Sequence, residues 1–66
     1  MSKKVINRIK VVLAEKNLSS KWLAEKLNKN EATVSRWCTN DVQPPIKTFV
    51  EIADILNINL TKLFND

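Results

Sequence analysis

SSKWLAEKLNKNEATVSRW, residues 19–37, spells helix, tight turn, helix. Leu23, Ala24 and Leu27 cluster on one face of the first helix, expected over 20–27, because helical neighbours recur every three or four residues. Ser19 stands at its N-cap, and Trp22 points away from the apolar face. Asn28 takes the turn. The chain has no glycine, and Asn is the residue that replaces it where the backbone turns left-handed. The next helix is expected over 31–38, with Asn30 as N-cap and Glu31 in a first turn that favours negative charge. Val34, Trp37 and Cys38 centre on one direction. Ala32, Ser35 and Arg36 lie opposite, flanked by Glu31 and Thr33.

Outward from this pair, the same reading covers the rest of the chain. A first helix is expected over 5–16, with Val5, Ile6, Ile9, Val12 and Leu13 on a buried stripe and Val11 alone on the polar side. Pro44 and Pro45 close a polar loop, and Pro45 suits the first position of a fourth helix over 46–56. That helix is expected to bury Ile46, Phe49, Val50, Ile52, Ala53 and Leu56, with Ile55 on its polar face. Asn59 caps a final turn over 60–64. Asn17, Asn28, Asn40 and Asn57 each follow an apolar-periodic stretch and are read as helix stops. No period-2 segment competes. The fold class is all-α, one domain of five short helices over residues 1–66, with residues 1–4 a frayed basic end.

Composition narrows the chemistry. The net charge is +4, but residues 1–40 hold nine Lys and Arg against three Glu, while residues 41–66 hold two Lys against four acids. The basic part contains the two-helix unit, and a one-sided positive field favours phosphate backbones. There is no His, the single Cys38 has no partner base, and the acids do not pair, so an enzyme, a cofactor or a metal site is not expected. No run is long and apolar enough for a membrane span, and one cysteine allows no internal disulfide, which suits a reducing cytoplasm.

A short helix held up by another is a shape that a DNA major groove accepts. Short side chains on the outward face let the backbone approach, Arg36 can donate two bonds to a guanine edge, and Glu31 can accept from cytosine. The competing reading is a solvated amphipathic helix. Small Ala24, turn residue Asn28 and apolar Val34 at these separations are what such a helix crossing requires.

The segments RIKVVLAEKNLSSKWLAEKL, TVSRW and FVEIADILNINLTKLF together resemble the Cro and phage-repressor (lambda-repressor-like) family of helix-turn-helix transcription regulators. They run from Arg8 to Phe64. The resemblance implies a five-helix, DNA-binding domain of prokaryotic or phage type, acting in the cytoplasm on the nucleoid. It implies a homodimer, often a repressor, on a palindromic operator of double-stranded DNA. By position, Glu31, Ala32 and Arg36 fall where members of the family contact base edges, with Ser35 on the same outward face. Ser20 replaces a frequent Gln near a phosphate, Asn28 a Gly, and Lys29 an apolar residue. Leu13 and Cys38 replace an Arg–Glu ion pair, so Cys38 is expected to be buried against an apolar partner rather than to act as a redox sensor.

Phosphate donors are expected around the third helix: Ser19, Ser20, Lys21, Lys26, Thr33, Thr39, Asn40 and Gln43, with the amides of Lys47 and Thr48. Ser19 and Asn40 also fit capping and turn roles. Lys3 and Lys4 fit a basic arm or a frayed end. Trp37 is assigned to the core; Trp22 fits a contact surface or partial packing equally well. Val42, Ile55, Ile58 and Phe64 are candidates for a dimer interface, the last two able instead to complete the core, which is preferred for Phe64. An antitoxin-type or other protein-partner role stays open beside the operator-binding one, with exposed Trp22 and Ile55 as its hints.

Overall fold

Four asparagines end the four α-helices. In the computed structural model, which describes residues 5–64, these are α1 (Ile9–Glu15), α2 (Ser20–Leu27), α3 (Glu31–Cys38) and α4 (Ile46–Leu56). Asn17, Asn28, Asn40 and Asn57 follow them with φ of 58°, 56°, 62° and 56°. Each makes the paired C-terminal bonds of a left-handed stop. After α2, for example, the Asn28 N–H donates to Glu25 O at 3.3 Å and the Lys29 N–H to Ala24 O at 2.9 Å. The chain therefore turns sharply four times without a glycine.

Leu60–Leu63 is a 3₁₀ turn, so among the described residues there are four α-helices rather than the five expected. Its Asn59 cap accepts the Thr61 N–H at 3.0 Å, as expected.

The N-terminal boundary of α1 departs from expectation. The helix begins at Ile9, and Val5 and Ile6 are 54% and 40% exposed. The reason is tertiary. The Asn40 side-chain oxygen accepts the N–H groups of Ile6 and Asn7, and Asn7 forms an isolated antiparallel bridge with Phe64. The Asn7 side-chain oxygen then accepts the Ile9 N–H at 3.1 Å, starting the helix there. The proposed basic arm, Lys3 and Lys4, lies outside the described residues.

Ile9, Leu23, Val34, Ile52 and Leu63 are fully enclosed, and Val12, Leu13, Ala24, Trp37, Phe49, Ala53 and Leu56 complete the core. Two residues expected there are outside it: Ile46 is 67% and Val50 50% exposed. The buried stripe of α4 is Thr48, Phe49, Ile52, Ala53 and Leu56. At about 100° per residue, Val50 points some 130° from its centre, so the apolar arc of α4 is wider than the face that packs. Pro45 precedes the helix by one position, its φ of −60° and ψ of 157° leaving its carbonyl to accept the Thr48 and Phe49 N–H groups. Phe64 stacks on Phe49 with ring centroids 4.7 Å apart, completing the core as preferred.

Candidate nucleic-acid interface

α2 and α3 pack on one another more extensively than any other pair of elements. Leu23 and Ala24 of α2 are buried with Val34 and Trp37 of α3. Small Ala24 lets the axes approach, and the left-handed Asn28 sets the turn between them. The Ser19 hydroxyl accepts the Trp22 N–H at 3.0 Å, and the Asn30 side chain accepts the Ala32 N–H at 2.7 Å. Each helix thus starts on a side-chain cap, worth about 1 kcal/mol.

What α3 shows to solvent is Glu31, Ala32, Thr33, Ser35 and Arg36, all exposed. A helix of eight residues is about 12 Å long, comparable with the width of a B-form major groove. With two short side chains among the five, its backbone can lie close to a surface while Arg36 reaches further.

The far end of α3 is held by a polar junction that sequence reasoning did not identify. Asn7 is only 2% exposed. Its side-chain amide donates to Trp37 O at 3.0 Å and to Gln43 Oε1 at 2.6 Å. Gln43 Nε2 in turn donates to Asn40 Oδ1 at 3.1 Å, and Asn40 Nδ2 to Asn7 O at 3.3 Å. Asn7, Asn40 and Gln43 therefore fasten the segment before α1 to the end of α3 and to the loop behind it. In sequence, Asn7 falls on the polar side of the expected first helix, which gives no sign of its burial.

This junction changes how the expected phosphate donors are read. Asn40 and Gln43 spend side-chain bonds inside the protein. The Thr39 hydroxyl is turned to Asp41 Oδ2 at 2.8 Å and Arg36 O at 3.2 Å. The Thr48 N–H is taken by Pro45 O at 2.9 Å, which leaves the Ile46 and Lys47 amides at the open start of α4. Ser19 keeps its hydroxyl proton while capping, so it can serve in both ways. Lys21 and Thr33 are exposed, and the Lys26 ammonium lies 5.6 Å from the Trp22 ring centre.

Ser20, Ser35 and Thr39 come together with Lys10 around an open cleft of about 340 Å³ floored by Leu13 and Cys38. Lys10 is a further cation on this side that the sequence did not single out. Cys38 is half-buried rather than buried, because the cleft leaves one side of it open. Burial pushes its thiol up from the ordinary value of 9.0, against a smaller lowering by Lys10.

The remaining surface expectations divide. Val42 is 47% exposed. Ile55, Ile58 and Phe64 are half-buried against the core, and so is Trp22, which resolves in favour of partial packing. Ile55 was expected on a polar face; it lies at the edge of the packed stripe instead. The two hints of a partner surface, Trp22 and Ile55, are thus largely explained by the fold. Among the described residues no helix is long and apolar enough to cross a membrane.

A family model for the Cro/C1-type helix-turn-helix DNA-binding domain matches residues 8–66. The chain is 50% identical to a protein of Bacteroides fragilis whose crystal structure describes it as a candidate DNA-binding protein. The match has a TM-score of 0.89 and covers 91% of this chain and 97% of that one. No curated protein gives a significant match.

Proposed function

The chain belongs to the Cro/C1-type helix-turn-helix DNA-binding domains; from that premise we propose that it is a sequence-specific transcription regulator, a repressor acting as a homodimer on a palindromic operator. The observation that carries this reading is the outward face of α3. Glu31, Ala32, Ser35 and Arg36 stand exposed on a helix capped at its start and bolted down at its end. Arg36 is the bidentate reader of a guanine, Glu31 accepts from cytosine, and the short residues admit close approach. Ser19, Ser20, Lys21, Lys26 and Thr33 anchor the phosphates beside it, with Lys10 added by the cleft. Asn40, Gln43 and Thr39 act mainly by shaping the loop, with any phosphate contact coming from the second side-chain N–H of Asn40 and of Gln43.

For the homodimer, exposed Val42 is kept as the apolar contact, and exposed Ile46 and Val50 take the place of half-buried Ile55, Ile58 and Phe64. Ile46 and Val50 are one turn apart on α4, with Lys47 between them and Glu51 and Asp54 after them. An antiparallel two-fold pairing of this face sets Lys47 of one copy beside the acids of the other, the self-complementarity that such symmetry demands. Such a pair requires half-sites one turn of DNA, about 34 Å, apart.

The test is selection of bound duplexes from a random pool, repeated at several salt concentrations. An enriched palindrome, with affinity falling steeply in salt, supports the reading. Weak binding without enrichment refutes operator recognition.

A further inference from the structure

A second concave surface lies on the other side of α1. It is an open groove of about 510 Å³ between α1 and the segment leading into the 3₁₀ turn. Arg8, Val12 and Lys16 line one wall, and Ile58 and Lys62 the other. The first three recur at every fourth residue, so they form a single ridge: cation, apolar, cation. Lys10, Leu13 and Ala14, which line the cleft shared with Ser20 and Ser35, point about 150° away around α1. The groove therefore faces away from the surface assigned to DNA.

Three cations surround it against one carboxylate, Glu15, and none of the three is in an ion pair among the described residues. Arg8 and Lys16 are about 12 Å apart along α1, too far for one phosphate or carboxylate to bridge. Val12, 4% exposed, and half-buried Ile58 give an apolar floor between them. We infer that this groove docks an acidic amphipathic helix of a partner protein, with an acid, an apolar residue and a second acid at i, i+4 and i+8. The apolar residue seats over Val12 and Ile58, and the two acids meet Arg8 and Lys16, with Lys62 alongside. The assignment of the opposite face to DNA rests on the operator reading; the groove itself does not.

The test is titration of the whole chain with a helical peptide carrying Glu, Leu and Glu at i, i+4 and i+8, and with its Gln-for-Glu analogue. The groove double variant Arg8→Gln/Lys16→Gln should weaken the acidic peptide about tenfold, as expected for two exposed charge pairs. The Arg8 backbone N–H to Leu63 O remains, so the variant should keep the wild-type melting temperature. The surface double variant Lys21→Gln/Lys29→Gln removes the same charge elsewhere and should leave the peptide affinity unchanged. Equal weakening by both variants would mean attraction to net charge alone and would overturn the inference. So would equal binding of the Gln analogue, or displacement of the peptide by a DNA duplex. If the duplex selection fails while groove-specific peptide binding persists, the operator reading falls and the groove stands.

Discussion

Replacing Asn7 by Ala should be among the most damaging changes to a polar side chain in this domain. The side chain makes three bonds: to Trp37 O at 3.0 Å, to Gln43 Oε1 at 2.6 Å, and from the Ile9 N–H at 3.1 Å. At about 1 kcal/mol net per bond the loss sums to about 3 kcal/mol. Gln43 is half-buried and can turn to water, which returns part of it, so about 2–3 kcal/mol is expected. A chain of 66 residues has only about 3–10 kcal/mol of stability in total. At roughly 1 kcal/mol per molar urea, the midpoint should fall by about 2–3 M. The assay is urea unfolding followed by tryptophan fluorescence, since Trp37 sits at the junction. Asn59→Ala is the control, because it removes an exposed cap from the 3₁₀ turn and should cost about 1 kcal/mol. Asn7→Asp should recover little: it keeps the Ile9 bond but turns a carboxylate toward two carbonyl-type oxygens. If Asn7→Ala costs no more than Asn59→Ala, the junction does not fasten α3 and the argument built on it is wrong.

Other outcomes follow from the same structure. Arg36→Ala should cost about 1–3 kcal/mol of specific binding and relax one operator position, whereas Lys21→Ala should weaken all duplexes alike; gel-shift titrations on selected and scrambled duplexes separate the two. Asn28→Ala should cost about 1–2 kcal/mol because Ala resists the φ of 56°, while Asn28→Gly stays within about 0.5 kcal/mol, both read from thermal melts. Val50→Glu should shift the chain to monomer in sedimentation and lower affinity for a palindrome more than for one half-site, and a variant that dimerises as before would exclude the α4 face. Cys38 has a raised folded-state value, so the fold favours its protonated thiol. The stability from that preference is complete below the ordinary thiol value of 9.0 and is lost as pH rises through the folded value. The stability gap between wild type and Cys38→Ala, measured by urea melts at pH 7 and at pH 10, should therefore narrow at the higher pH.

Much of the architecture was legible because it is written in local terms. α2, α3 and α4 follow apolar spacing, α2 and α3 begin on capping side chains and α4 after a proline, and the four helix stops follow from Asn in a chain lacking glycine. These signals act over three to five residues, so a one-dimensional reading reaches them. The outward face of α3 was legible for the same reason: Val34 and Trp37 fix one side of the helix, and geometry then assigns the other.

What the tertiary structure decided is everything that depends on partners far along the chain. The apolar stripe continues through Val5 and Ile6, yet α1 starts at Ile9 because Asn40, more than thirty residues away, captures the backbone ahead of it. Asn40 and Gln43 carry donors that suit a phosphate, but their neighbours in space are Asn7 and each other. Ile46 and Val50 are as apolar as Ile52 and stay in water, since only one side of α4 meets another element. Periodicity tells which residues share a face; which face is covered, and how far, depends on how the helices close around a core too small to bury every apolar side chain.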